Sequence, residues 1–337
     1  MRQLSMRDAI NEALHLEMAR DPRVIVLGED VSGGAGGTSG QRDAAGGVFG
    51  VTKGLLPKFG EDRVIDTPIS ESAIIGAANG AALAGLRPVA ELMFADFLGV
   101  CFDQVFNQAA KFRYMFGGKT SCPIVIRTAT GAGMNMGAQH SQSMYAMVTG
   151  VPGLKVVVPS SAYEAKGLML TAIRDDDPVF FLESERMLGN KGHVPEEEYV
   201  IPFGQAKVLR EGTDCTVASW GRPVHFCMDA ADELAKQGIS CEVIDLRTVR
   251  PLDIGTVVRS VKKTSTCVVV DQSWSFGSPG SELASQVHRH CFDDLDNYVH
   301  RVHSADVPTP YATNLEQEYL PNARRIAEAV RSATYNL

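Results

Sequence analysis

A chain of 337 residues, 45% hydrophobic and 21% charged, is long enough for two globular domains and too apolar for a disordered tail. Its net charge of −8, with no basic run or stripe, argues against a nucleic-acid partner. No stretch of roughly 20 apolar residues is present to span a membrane.

The chain opens into a charged amphipathic stretch without the apolar core of a signal peptide, so a cytoplasmic protein is expected. Ser5 and Asp8 predict a capped helix reaching about Arg20, followed by a buried strand over residues 24–27. Residues 32–50 form a glycine-rich insert, too polar for a core element and expected as a surface or mouth loop. Strand-like runs recur at 89–93, 124–128, 155–158 and 179–182, with clear helical stretches at 97–116 and 162–174. Periodicity lapses between Arg186 and Pro202, which sets a linker at 188–203 between a first domain, 1–187, and a second, 204–337. Strands are then expected at 215–219, 240–244 and 266–270, and helices at 224–237, 254–263, 280–290 and 322–334. Short apolar strands alternating with helices imply two α/β domains with parallel sheets covered on both faces.

The seven cysteines are an odd number with no Cys-x-x-Cys, and Cys215, Cys241 and Cys267 fall in strand-like runs. Buried free thiols are expected, not disulfides or a zinc site. His288-Arg289-His290-Cys291 and His300-x-x-His303 offer no metal spacing, since i,i+2 on a helix and i,i+3 on a strand do not share a face.

The most informative segment is Asp66-Thr67-Pro68-Ile69-Ser70-Glu71, where a proline turn delivers one carboxylate to the mouth of a helix of small residues, 72–86. Glycine inside a helix costs about 1 kcal/mol against alanine. Gly76 and Gly80 lie four apart on one face, so a backbone or ligand is expected close to it. Taken alone, Glu71 can also be read as complementing the helix dipole. Glu29 follows the first strand, either near the strand end where α/β sheets present ligands or as a solvated loop carboxylate.

Gly28-Glu29-Asp30-Val31, the 66–71 hexapeptide, Gln139-His140-Ser141-Gln142 and Pro152-Gly153-Leu154-Lys155-Val156-Val157 stand in this order along the chain. Asp245-Leu246-Arg247-Thr248-Val249-Arg250-Pro251-Leu252-Asp253 and Ala305-Asp306-Val307-Pro308-Thr309-Pro310-Tyr311 follow. Together they resemble one family over its whole length: the β subunit of the E1 component of thiamine-diphosphate-dependent 2-oxo acid and acetoin dehydrogenase complexes. The resemblance implies a pyrimidine-binding domain and a transketolase-type C-terminal domain. It places Glu71 at N1′ of the aminopyrimidine, a role suited to a carboxyl group whose pKa is raised by burial. Ile69 would lend Glu71 apolar cover, Phe97 would line the pyrimidine pocket, and Glu29 would lie nearby. Without the family, Phe97 reads as readily as a core residue.

His140 is placed by the resemblance at the active-site mouth, where it can stabilise charge or handle protons during acyl transfer to lipoate; read alone, a loop histidine is commonly a surface residue. No Gly-x-Ser-x-Gly elbow makes Ser141 a hydrolase nucleophile. The family's magnesium signature, Gly-Asp-Gly followed by Asn, appears nowhere; the chain has no Gly-Asp pair. A P-loop is absent, and dinucleotide fingerprints fail at Met136 and Ser39. The chain is therefore expected to bind half of thiamine diphosphate, an α subunit holding the diphosphate and its Mg2+ in an α2β2 heterotetramer that serves a lipoyl-bearing E2.

Asp175-Asp176-Asp177-Pro178 reads by itself as a solvated turn. In the family, main-chain carbonyls matching Ile124, Ala172, Ile173 and Asp177, with the group matching Asp175, surround a potassium ion, and the resemblance extends that site here. This chain has Asp177 where the family often has Asn, and His303-Ser304 where a smaller pair is common. Within the family, the 33–50 insert, residues 92–99 and Met115-Phe116-Gly117-Gly118-Lys119 resemble acetoin dehydrogenase, with pyruvate or branched-chain 2-oxo acid dehydrogenase as the alternative. A non-catalytic α/β assembly subunit is a rival that retention of Glu71 opposes. A nicotinamide oxidoreductase is opposed by the failed fingerprints.

Overall fold

The structure, a computed structural model, describes residues 2–33 and 46–335. Most of the glycine-rich insert expected as a mouth loop lies outside the described residues. The chain divides into two compact units, Met1–Thr130 with Val148–Pro202, and Gly131–Met147 with Phe203–Leu337.

The first unit carries β1 (Gln3–Ser5), β2 (Val24–Glu29), β3 (Val64–Thr67), β4 (Arg87–Phe94), β5 (Val125–Thr130), β6 (Lys155–Val157), β7 (Val179–Ser184) and β8 (Lys191–His193). Six of these are parallel, in the order β6-β7-β5-β4-β2-β3. Every residue of β4, β5 and β7 is buried. Burial at every position is what a sheet covered on both faces demands. Ser5 caps the helix Met6–Arg20 by accepting the Asp8 amide at 3.1 Å, and that helix packs on Ala162–Arg174.

Two expectations change here. The linker is ordered through most of its length: β8 pairs antiparallel with β1, and the Lys166 ammonium donates to the carbonyls of Pro195 and Glu197 at 2.9 and 3.1 Å. Charge and glycine hid this pairing because the strand is short and at an edge. The helix expected over 97–116 is instead a 3₁₀ turn (Ala95–Phe97), an α-helix (Leu98–Asp103), a π-turn (Gln104–Ala109) and a further α-helical turn (Phe112–Met115). The Ala110 amide reaches back to Val105 O at 3.1 Å, an i→i+5 bond. The Ala110 carbonyl then lies where only glycine fits opposite: a Cβ on Gly153 would come within 2.0 Å of it.

The second unit contains β9 (Lys207–Arg210), β10 (Cys215–Ser219), β11 (Cys241–Asp245), β12 (Thr248–Arg250), β13 (Cys267–Asp271) and β14 (His300–His303). Its sheet runs β14-β13-β10-β11-β9, parallel except for β9. Both edge strands were missed by periodicity, since one is half polar and the other is the histidine segment. Helices Pro223–Ala235 and Ala323–Tyr335 cover one face through Cys227, Leu234, Ile326 and Val330. All seven cysteines are buried and free, as expected. Among the described residues, no helix is long and apolar enough to cross a membrane.

Candidate active site

The C-terminal ends of β2 and β3 carry the carboxylates Glu29 and Asp66. In-register pairing sets Gly28 beside Asp66 and Glu29 beside Thr67. Asp66 is held by Ser32, whose amide donates to one carboxylate oxygen at 2.6 Å and whose hydroxyl donates to the other. That clasp fixes the start of the turn through Pro68, so the chain enters the helix Glu71–Leu83 with Glu71 in its first turn. Sequence reading missed Ser32; no motif announces it.

Glu71 is half-buried, and Ile69 is 75% exposed, so Ile69 does not give Glu71 the apolar cover expected of it within this chain. Burial, and then the charges of Asp30, Glu71 and Glu91, push the Glu29 carboxyl above the usual carboxylate range. The Glu71 charge also adds to the burial that pushes the Cys101 thiol up to about 12. Glu29 and Glu71 are thus brought together. Phe97 is half-buried and edge-on to Phe94, with ring centroids 5.5 Å apart, and Phe94 meets Phe49 in the same way at 5.6 Å. The expectation for the glycines divides: Gly76 faces the Gln104 side chain, 3.2 Å from where a Cβ would lie, whereas a Cβ on Gly80 would meet nothing within 4 Å among the described residues.

Beneath this edge lies a charge cluster that the sequence did not disclose. Arg127 on β5 donates to Glu91 on β4 and, at 3.0 Å, to Glu183 on β7, all three being buried. One guanidinium between two carboxylates leaves an excess negative charge in the core. Burial pushes Glu183 up to about 7.

His140 belongs to the second unit. It is half-buried on a loop closed at its base by the Gly131 amide donating to Gln142 O at 3.3 Å. Ser141, beside it, is buried.

The five residues of the potassium reading share one corner of the first unit. Arg87 donates to Ile173 O at 2.8 Å and to Asp175 O at 2.5 Å. The Ala172 carbonyl accepts the Asp175 amide at 3.3 Å, and that of Ile124 accepts the Val179 amide at 2.9 Å. Lys155 donates to both Asp175 carboxylate oxygens at 2.7 Å, and Arg113 pairs with Asp177. Carbonyl oxygens with a second lone pair suit a hard cation. The Asp175 carboxylate, however, is already engaged by an ammonium. Among the described residues no group of three or more His, Cys, Asp or Glu is placed to hold a metal ion.

Residues 2–191 match the family model described as transketolase, pyrimidine binding domain, and residues 204–326 that described as transketolase, C-terminal domain. The chain is 52% identical over 330 residues to the acetoin:2,6-dichlorophenolindophenol oxidoreductase subunit beta of Cupriavidus necator, covering 98% of this chain and 97% of the relative. It is 47% identical over 333 residues to the pyruvate dehydrogenase E1 component subunit beta of Rickettsia felis, covering 99% of each. A solved structure described as a split gene transketolase, inactive beta4 tetramer, matches with a TM-score of 0.77 at 23% identity over 98% of each chain. The two α/β domains therefore have the transketolase pyrimidine-binding and C-terminal folds.

Proposed function

This chain belongs to the E1 β-subunit family, and we propose that it is the β half of an enzyme that cleaves acetoin and passes the acetyl group to a lipoyl-bearing E2. The observation that carries the reading is Glu71 in the first turn of the helix that follows β3, near enough for its charge to act on Glu29 at the end of β2, in a chain 52% identical to an acetoin:2,6-dichlorophenolindophenol oxidoreductase subunit beta.

The residues present fit the pyrimidine half of thiamine diphosphate. A half-buried carboxylate at a helix start, a neighbouring carboxyl whose pKa burial raises, and a half-buried aromatic ring suit a ring with one basic nitrogen to hold. When bound, the cofactor supplies the reactive thiazolium carbon. Glu71 is assigned to share a proton with N1′, and Phe97 to bound the ring. Burial, with the charge of Glu71, raises the affinity of the Glu29 carboxyl for its proton. His140 is assigned to the mouth, where it stabilises charge during acyl transfer.

No magnesium motif is present in the sequence, which supports an α subunit that holds Mg2+ and the diphosphate in an α2β2 assembly. The carbonyls of Ile124, Ala172, Ile173 and Asp177, with Asp175, are assigned to potassium. Pyruvate or a branched-chain 2-oxo acid, decarboxylated instead of cleaved, is the second reading, favoured by the 47% identity to a pyruvate dehydrogenase subunit.

The test is competition. The chain reconstituted with its α subunit is expected to show a higher kcat/KM for acetoin than for pyruvate or 3-methyl-2-oxobutanoate. A preference of about tenfold or more for either acid would overturn the acetoin assignment and leave the family standing.

A further inference from the structure

The stem of the His140 loop is gripped by a carboxylate remote from it in sequence. Glu316, on the helix Thr313–Tyr319, is 3% exposed. Its Oε1 accepts the amides of Gly133 at 2.9 Å and Asn135 at 3.1 Å, and its Oε2 accepts Asn135 Nδ2 at 3.1 Å. The intervening Ala132 carbonyl is held from the other side by Arg222 Nη1 at 2.6 Å and Gln272 Nε2 at 3.3 Å.

The backbone explains why a grip is needed. Gly131, Gly133, Asn135 and Gly137 all have positive φ, at 89°, 127°, 59° and 74°. Asn135 alone among them is a side-chain-bearing residue in the left-handed region, which costs energy unless its surroundings hold it there. Four such residues in seven leave a segment with many alternative conformations. Ordering each residue costs backbone entropy. A buried carboxylate accepting three N–H groups offsets part of that cost through charge-assisted bonds.

Resting on the assignment of His140 to acyl transfer, we propose that Glu316 is a positioning residue for that step. By bonding Gly133 and Asn135 it fixes the first half of the loop, whose closure at Gly131 and Gln142 sets the backbone from which His140 projects. Glu316 touches no reacting atom; it acts through the loop.

The experiment uses the full chain reconstituted with its α subunit. Two rates are read, acylation of an isolated lipoyl domain and reduction of dichlorophenolindophenol, which bypasses that acylation, together with amide hydrogen exchange over residues 131–142. Glu316→Ala is expected to slow lipoyl acylation by about 10–10²-fold, to change dye reduction by less than about threefold, and to accelerate exchange at Gly133 and Asn135. Glu316→Gln places a donor against Asn135 Nδ2 and should be impaired. Combined with Asn135→Asp, which restores an acceptor in a residue tolerant of positive φ, it should recover. In a His140→Ala background Glu316→Ala should cost nothing further. Unchanged exchange in Glu316→Ala would overturn the clamp whatever His140 does. Accelerated exchange with full lipoyl acylation in Glu316→Ala, while His140→Ala is impaired, would overturn its role in positioning. If His140→Ala itself acylates normally, the His140 assignment falls, and exchange and the Asn135→Asp recovery still decide whether Glu316 holds the loop.

Discussion

Gly28 lies directly against Glu91: a Cβ on Gly28 would come 2.9 Å from the Glu91 Cβ and 3.1 Å from its carbonyl oxygen. Contacts that short force a neighbour to move, and here both neighbours belong to a central strand buried at every position. The absent side chain lets β2 approach β4 closely enough for Glu29 to feel the Glu91 charge. Gly28→Ala is therefore expected to destabilise the folded chain by about 1–3 kcal/mol. It should also lower activity more than an exposed Gly189→Ala control, whose Cβ would meet nothing within 4 Å among the described residues. Thermal unfolding of the two variants checks this.

The Arg127 cluster predicts a pH signature of stability. Burial raises the Glu183 carboxyl from 4.5 to about 7, so folding favours its protonated form. The stability this group lends is fully present below about pH 4.5 and is lost as pH rises through about 7. Glu183→Gln removes the loss while keeping a hydrogen-bonding side chain for Arg127. Relative to the variant, the wild-type chain should lose on the order of 3 kcal/mol between these limits. Unfolding midpoints that run parallel across the range would contradict the buried charge.

Much of this architecture is legible in sequence, and the reasons it fails elsewhere are local. The strand containing residues 124–128 is legible because Ile124, Val125 and Ile126 open it as a β-branched apolar run, although Arg127 and Thr128 follow. What the pattern cannot disclose is that Arg127 faces two carboxylates 36 and 56 residues away. Likewise, an apolar period persists across Val105 and Ala109 while the backbone widens into a π-turn, whose end packs against Gly153, distant in sequence. Glu71 was found from its place between a proline turn and a small-residue helix. Glu316 was not, since a lone glutamate in a short amphipathic segment carries no local mark of the three N–H groups it accepts.

Potassium should raise the thermal midpoint of the reconstituted complex over choline at equal ionic strength. The Ile124, Ala172 and Ile173 carbonyls each accept one N–H and retain a second lone pair. Lys155 already neutralises Asp175, so Lys155→Met is expected to deepen the dependence on potassium by freeing that carboxylate. Identical midpoints in both salts, for wild type and variant alike, would remove the ion from the account.

The central claim, that Glu71 completes the cofactor site, is tested most directly by Glu71→Gln assembled with its α subunit and assayed for acetoin-dependent dichlorophenolindophenol reduction. The amide occupies similar space at the helix start but cannot exchange a proton with N1′. Loss of one positioned acid–base group costs on the order of 10²–10⁴-fold, and a fall of that size with assembly intact is the predicted result. Retention of more than about a tenth of wild-type turnover, well short of that loss, would contradict it.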